Sequence, residues 1–240
     1  MTTLLGTPAK LFQRHLPSLK QVRCLSGKVP HSTMPSPAEG SLHQPQRSKV
    51  AVGQMTSTSN REANYMICQQ LAQAAVAEGC SMLFLPECFS FIGRSPAESV
   101  AAASSLEGPI MQRYLKLAQS NRLWLSLGGF QEHCSTDPQR LQNCHVIVDD
   151  TGQIVSTYRK VHLFDVEVFD GPVLKETSFT APGKQLVTCD SPAGKLGVTV
   201  CYDLRFPEMY QLLAWQMGAQ IMLVPSAFTV ATGMYKFCSV

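Results

Sequence analysis

The chain has 240 residues, 45% hydrophobic and 15% charged, a balance typical of a soluble globular domain. No apolar run approaches the ~20 residues that span a membrane, which argues against a membrane protein. The net charge of +3 is uneven, because residues 1–38 carry five basic residues and no acidic one, leaving the remainder at −2. A slightly acidic body argues against a nucleic-acid partner, whose phosphates need basic side chains.

The nine cysteines are scattered along the chain, odd in number and without the close pairs of a zinc site. This pattern favours reduced, mostly buried thiols over a disulfide framework. No phosphate-binding glycine loop or cluster of metal ligands is evident either. We therefore expect no metal and no cofactor.

Residues 1–38 are basic, free of acidic residues and supplied with apolar side chains at helical spacing, which is typical of a mitochondrial transit peptide. The run Arg23-Cys24-Leu25-Ser26 resembles a matrix-protease cleavage site. A disordered tail without a targeting role is the alternative. Met34 is a second candidate start, so both mitochondrion and cytoplasm are expected locations. Residues 35–48 are predicted to be a linker, which makes 1–48 a leader and linker.

The elements of the first half follow from periodicity and capping. Residues 49–55 alternate like a strand. Ser59 and Glu62 form a capping box, which predicts a helix that ends at Gly79. Strands are predicted over 81–85 and 123–130, with a helix beginning near Pro109 between them.

The sequence of the second half predicts two hairpins, a helix and a strand. The hairpin strands are 145–148 with 154–158, and 186–189 with 196–200. A helix is predicted from Pro207 to Gly218, followed by a strand over 221–224. Helices that alternate with single strands and hairpins predict a layered α/β domain with a mixed sheet.

Cys201 stands where a buried strand ends and a helix is expected to begin. The positive end of a helix dipole favours a thiolate, and free backbone amides there can hold an oxyanion. This makes Cys201 a candidate nucleophile. Taken alone, a core cysteine at a strand end is the commoner case.

Two charged residues also follow apolar strands. Glu87 comes directly after the 81–85 strand and is a candidate general base. Lys160 closes the 154–158 strand, where its ammonium can stabilise a thiolate and a developing oxyanion. Each of them, taken alone, is more commonly an exposed strand-end residue.

Three segments together resemble the signatures of the nitrilase (carbon–nitrogen hydrolase) superfamily, in the same order. They are 85–87 (Leu-Pro-Glu), 158–165 (Tyr-Arg-Lys-Val-His-Leu-Phe-Asp) and 201–208 (Cys-Tyr-Asp-Leu-Arg-Phe-Pro-Glu). The resemblance covers 49–233 and implies a four-layer αββα sandwich. It also implies a triad in which Glu87 is the base, Lys160 the charge stabiliser and Cys201 the nucleophile that forms a thioester.

The resemblance extends to supporting residues. Glu176 matches a further carboxylate of the family that positions the lysine or assists the hydrolytic water. Tyr202 and Arg205 follow the nucleophile and are candidate supporting or substrate-binding residues. The guanidinium of Arg205 is suited either to a substrate carboxylate or to a structural ion pair.

Flanking segments narrow the resemblance within the superfamily. Residues 53–58, 125–130 and the stretch between Asp165 and Glu176 are most similar to the branch that hydrolyses deaminated glutathione. That branch releases 2-oxoglutarate and cysteinylglycine, a metabolite-repair reaction on a small-molecule amide. An ω-amidase-like activity is the neighbouring alternative. The family commonly forms homo-oligomers.

The chain departs from the family pattern at about Met234, so 234–240 is interpreted as a divergent tail and the C-terminal part of the sandwich as missing. We expect uncovered sheet surface and lower stability than in a full-length relative. A catalytically dead isoform that acts as a binding or regulatory partner is therefore a second hypothesis. A papain-like enzyme using His133, His145 or His162 is a third, although that family's glycine-rich cysteine signature is absent.

Overall fold

The computed structural model describes residues 21–26, 48–167 and 173–228. Its strands are β1 (Gln21–Ser26), β2 (Lys49–Gln54), β3 (Met82–Leu85), β4 (Trp124–His133), β5 (Leu141–Val148), β6 (Ile154–Arg159), β7 (Asp165–Glu167), β8 (Val173–Lys175), β9 (Val187–Cys189), β10 (Leu196–Val198) and β11 (Ile221–Leu223). Its α-helices are α1 (Arg61–Ala77), α2 (Pro96–Ala101), α3 (Pro109–Asn121) and α4 (Pro207–Gln211). Each strand expected from the sequence is present, and β1, β7, β8 and α2 are additional.

The strand β1 lies within the stretch assigned to the leader. It pairs antiparallel with β2, with Cys24 opposite Ala51. Side chains that alternate between the core and solvent explain why this stretch is a strand. Val22 and Cys24 pack against the core, while Arg23 and Leu25 are exposed. The rest of the leader and linker, and the 234–240 tail, lie outside the described residues, so this division of the chain stays a prediction.

The strands form two main sheets. The larger has six strands in chain order, β1 to β6, and is mixed, because β2, β3 and β4 run parallel while the remaining neighbours are antiparallel. The smaller sheet has the order β11-β10-β9, with β10 parallel to β11. A separate hairpin joins β7 and β8.

One face of the larger sheet is covered by helices. The side chains of Leu71 on α1 and Tyr114 on α3 share a buried cluster with sheet residues such as Leu83 and Leu125. The cap of α1 differs from the expectation by one residue. Asn60, rather than Ser59, is the cap, and its side chain accepts a hydrogen bond from the Ala63 amide at 3.0 Å.

The opposite face packs against the smaller sheet and completes a four-layer order. Ile147 of the larger sheet and Val198 of the smaller one belong to a second buried cluster, together with Leu213 beyond the smaller sheet. A Cβ on Gly197 would lie 3.5 Å from Leu213 Cβ, so this glycine faces the outer helical layer. That layer is less regular than expected, because α4 gives way to a π-helical turn over Leu212–Gln216. The result is the αββα sandwich of nitrilase-type folds.

The smaller sheet covers only part of the larger one. Within the described residues β11 is its edge strand, and a groove of 1170 Å³ lies between β11 and the β1–β3 side of the larger sheet. Val50, Val52 and Phe84 line one wall and Met222 the other. Val52 is 42% exposed, so the groove presents apolar surface. No helix in the described part of the chain is long and apolar enough to cross a membrane.

Candidate active site

Glu87 lies two residues beyond β3 and is held by three donors. Its Oε1 accepts hydrogen bonds from Asn143 Nδ2 at 2.8 Å and from Lys160 Nζ at 3.3 Å. Its Oε2 accepts one from the Ala227 amide at 2.9 Å. The residue is 7% exposed, so its carboxylate has little solvent around it and a fixed orientation.

Two glycines in β4 make room for this carboxylate. The register between β4 and β5 shifts between Leu127 and Phe130, where Gly128 and Gly129 form a bulge. A Cβ on Gly129 would lie 2.7 Å from Asn143 Oδ1 and 3.0 Å from Glu87 Cγ. A side chain at that position would therefore displace the pair that anchors the carboxylate.

Lys160 follows β6 and is 2% exposed. Its ammonium lies between two carboxylates, at 3.3 Å from Glu87 Oε1 and 2.8 Å from Glu176 Oε2. Burial opposes the charged form, but the two carboxylates outweigh it and raise the pKa of Lys160. The lysine is thus a permanent buried cation at neutral pH.

Glu176 does more than neutralise the lysine. The same Oε2 accepts a hydrogen bond from the Phe164 amide at 2.7 Å. It therefore ties the segment after β6 to the short 3₁₀ turn Glu176–Ser178 that follows β8. This is the position that the resemblance implied for the further carboxylate.

Cys201 begins a 3₁₀ turn, Cys201–Arg205, after β10. Its φ of +47° is unusual for a residue with a side chain, and its amide donates to the Pro225 carbonyl at 2.9 Å. Glu87, Lys160 and Ser226 lie close enough to the thiol to shift its pKa. The structure thus brings Glu87, Lys160 and Cys201 together from three separate strand ends.

The expected thiolate at Cys201 is wrong for the site at rest. Burial and the neighbouring Glu87 raise the pKa of Cys201 to about 12, and Lys160 only partly offsets them. The helix dipole gives little help, because α4 begins only at Pro207. The Cys201 amide is also committed to Pro225, so it is not free to hold an oxyanion.

A buried aspartate that the sequence reasoning missed joins the segments behind the triad. Asp203 is fully buried, and its Oδ2 accepts from Tyr158 Oη at 2.7 Å and from the Val200 amide at 2.9 Å. Its Oδ1 accepts from the His162 amide at 3.0 Å and lies 2.8 Å from His162 Nδ1. Asp203 lies within the 201–208 signature, and this position was the sequence signal that could have identified it.

Asn143, Ser226 and Cys88 were also missed. Asn143 is a polar residue that is buried within β5, but two further polar residues in this strand weaken it as a sequence signal. Ser226 follows β11 and has no comparable signature. Cys88 adjoins Glu87, with a φ of +58°, and burial raises its pKa well above the ordinary thiol value.

The two supporting residues after Cys201 differ in exposure. Tyr202 packs edge-to-face against Phe164, with ring centroids 5.0 Å apart, so it braces the segment after Lys160. Arg205 is exposed at the end of the turn. Their contact with substrate stays a prediction.

The three histidines have other partners. His145 is fully buried between Ser126 Oγ at 2.7 Å and the Thr199 carbonyl oxygen at 2.9 Å. His162 bonds with Asp203 and stacks on Phe206 at 3.6 Å, and His133 is exposed. Among the described residues, no contact found for these side chains reaches Cys201, which weighs against a papain-like pair.

The chain is similar to several known proteins. The deaminated glutathione amidase of Dictyostelium discoideum is 47% identical over 191 residues, which cover 77% of this chain and 65% of that protein. The enzyme of the same name from Rattus norvegicus is 42% identical over 207 residues, covering 84% and 63%. The crystal structure of the C. elegans NitFhit protein matches with a TM-score of 0.71 at 39% identity, covering 77% of this chain and 45% of that one.

The chain thus spans less than two thirds of the length of these curated relatives. The match to the family itself is broader. The profile of the carbon-nitrogen hydrolase family matches residues 49–237, which include the whole cluster around Glu87, Lys160 and Cys201. On this match, the chain belongs to the carbon-nitrogen hydrolase family.

Proposed function

We propose that this chain is a hydrolase of a small linear amide, that it acts through a thioester on Cys201, and that its substrate is deaminated glutathione. The observation that carries the proposal is the convergence of a carboxylate, an ammonium and a thiol in one buried cluster. This set supplies the base, the charge stabiliser and the nucleophile that acyl transfer requires.

Acylation starts from a neutral thiol. Glu87 accepts the Cys201 proton as the sulfur attacks the amide carbonyl carbon, because a thiol with a pKa of about 12 does not ionise in advance. The carbonyl oxygen takes up negative charge, which the Lys160 ammonium stabilises. Glu87 then returns the proton to the nitrogen, the carbon–nitrogen bond breaks, and an amine leaves a thioester on Cys201.

Deacylation uses the same groups. Glu87, again a carboxylate, removes a proton from a water molecule that attacks the thioester carbonyl. Lys160 stabilises the second oxyanion, and collapse of this intermediate expels the Cys201 sulfur, which takes the proton back. The carboxylic acid leaves, and the resting thiol is restored.

The substrate proposal rests on the relatives. The curated relatives reported above are named deaminated glutathione amidases, at 47% and 42% identity. Hydrolysis of that compound at its amide would release 2-oxoglutarate and cysteinylglycine, and the reaction needs no redox change.

The test is a mass-spectrometric search for an acyl adduct on Cys201 after deaminated glutathione is added, with an ω-amidase substrate in parallel. We expect the adduct and turnover with the first substrate, loss of both in Cys201→Ala, and retention in the control Cys134→Ser. An adduct on another cysteine would contradict the assigned nucleophile. Acylation by the ω-amidase substrate alone would support the thioester mechanism and contradict deaminated glutathione as the substrate.

Placement in mitochondrion and cytoplasm, and assembly as a homo-oligomer, remain proposals. Tagged chains begun at Met1 and at Met34 should distribute differently between the two compartments. Identical distributions would refute the targeting role of the first 33 residues. Light scattering of the purified chain measures the oligomeric state directly.

A further inference from the structure

Two cysteines meet far from the active site, where the edge strand β1 lies against the end of α1. Cys24 Sγ and Cys80 Sγ are 3.4 Å apart, although the residues are 56 positions apart in sequence. Cys24 is half-buried on β1, and Cys80 is 7% exposed in the loop between α1 and β3. A disulfide bond is about 2.0 Å long, so the two sulfurs would approach by a further ~1.4 Å on oxidation.

A lysine and a glutamate lie beside the pair. Lys49 Nζ is 2.9 Å from Glu78 Oε2 and 2.6 Å from the Glu78 carbonyl oxygen. Burial raises the pKa of Cys80 to about 11, and the Lys49 ammonium offsets this rise only in part. Cys80 is therefore mostly a neutral thiol at pH 7, and mildly alkaline buffer favours the thiolate that attacks a disulfide.

We infer that Cys24 and Cys80 form a reversible disulfide that tethers β1 to the body of the domain when a disulfide oxidant such as glutathione disulfide is present. The Cys24 thiolate attacks one sulfur of glutathione disulfide and expels a glutathione thiolate. The Cys80 thiolate then attacks the Cys24 sulfur and expels the second. Two protein thiols are oxidised, one glutathione disulfide is reduced to two glutathiones, and the two protein protons pass to the leaving thiolates.

The bond would add a covalent link to a strand at the edge of the sheet. Among the described residues β1 pairs with β2 alone, and its other contacts are the packing of Val22 and Cys24 against the core. Exposed Arg23, next to Cys24, is a trypsin site within this strand. Its cleavage rate therefore reports how firmly β1 is paired.

The experiment treats the full chain with glutathione disulfide, blocks free thiols, and maps peptides by mass spectrometry without reduction. We expect a cross-linked peptide that joins Cys24 to Cys80, is lost in Cys24→Ser and in Cys80→Ser, and persists in Cys189→Ser. Trypsin should also cut after Arg23 several-fold more slowly in the oxidised than in the reduced wild-type chain, and at equal rates in the oxidised and reduced forms of each of the two serine variants.

Two results would overturn the inference. One is recovery of Cys24 and Cys80 as separately blocked thiols, or as links to other cysteines, after oxidation. The other is an unchanged cleavage rate after Arg23 in a chain that carries the cross-link. The active-site thiol takes no part in either readout, so failure of the amidase proposal leaves this test intact.

Discussion

The two carboxylates beside the Lys160 ammonium lie at different distances from it and have different additional partners. Glu87 at 3.3 Å also bonds with Asn143 and the Ala227 amide, whereas Glu176 at 2.8 Å bonds with the lysine and the Phe164 amide. Glu176 is therefore the closer ion-pair partner of the lysine. In the proposed mechanism, Glu87 accepts and donates the protons.

Replacing Glu176 by glutamine tests this division. Glu176→Gln keeps an acceptor for the Phe164 amide but removes the charge that holds Lys160, so kcat should fall about tenfold or more while KM changes little. Glu208→Gln, which changes an exposed carboxylate on α4, is the matched control. Equal kcat values for the two variants would show that Glu176 is dispensable.

His145 predicts a dependence of stability on pH. Burial lowers the pKa of His145 from 6.5 to about 4, against a smaller opposing effect of its bond to Thr199. The unfolded chain thus binds a proton near pH 6.5 that the folded chain refuses, so this residue's contribution to stability is complete above pH 6.5 and is lost as pH falls toward 4.

The size of that effect is measurable by urea unfolding. Between pH 7.5 and pH 5, the free energy of unfolding should fall by about 2 kcal/mol through His145 alone. His145→Gln should flatten this slope, although it also weakens the core. His133→Gln, at an exposed position, should leave the slope as it is. A pH dependence of the free energy of unfolding that is the same in both variants as in the wild-type chain would show that His145 is not its source.

At the scale of elements, the bulge in β4 couples the sheet to the site. A Cβ on Gly128 would overlap Pro225 Cβ and the Leu85 carbonyl oxygen, and the Pro225 carbonyl holds the Cys201 amide. The glycine therefore sets how closely the loop after β11 approaches the end of β3, two residues before Glu87.

Gly128→Ala should destabilise the chain by about 1–3 kcal/mol and lower activity further than the loss of folded protein explains. Thermal melts and assays on the folded fraction separate the two effects. Gly53→Ala is the matched control, since its Cβ would meet only flexible leucine side chains, the nearest at 3.1 Å. A larger loss in the Gly53 variant would refute this role of the bulge.

The elements that the sequence predicted were those whose periodicity or capping is strong. β3 is an apolar run bounded by turns, and α3 begins at Pro109 with a clear buried stripe, whereas only the half of β5 beside its turn, 145–148, was predicted. The three-residue strands β7 and β8 are too short to show a period. β1 was hidden because its alternation lies in a basic stretch that also has the composition of a leader.

The functional site, like the fold, was predicted only in part from the sequence. Glu87, Lys160 and Cys201 follow strands or hairpins, so their convergence was inferable from the signatures that surround them. The contacts of Asn143, Ser226 and Asp203 depend on how the two sheets stack, and no local pattern encodes that arrangement. The protonated resting thiol was missed for a related reason, since burial rather than a helix dipole decides it.

Over the whole molecule, the groove beside β11 predicts surface behaviour. Val52 and Leu25 line it and are 42% and 57% exposed, so the chain should bind a hydrophobic dye such as anilinonaphthalene sulfonate in its folded state. Val52→Thr should reduce dye binding and cost little stability. Val198→Thr, at a fully buried position in β10, should lower the stability of the chain and leave dye binding to the groove unchanged. Equal effects would contradict the open groove.

The Glu87 carboxylate bonds to groups that are 56, 73 and 140 residues away along the chain. Such distant partners must be brought together before any of them functions, and closing long loops is slow. A chain that lacks the segment around Ala227 therefore also lacks one of the donors that hold this carboxylate. The proposed turnover should appear only in chains long enough to supply that donor, which makes it a sensitive reporter of when these distant contacts have formed.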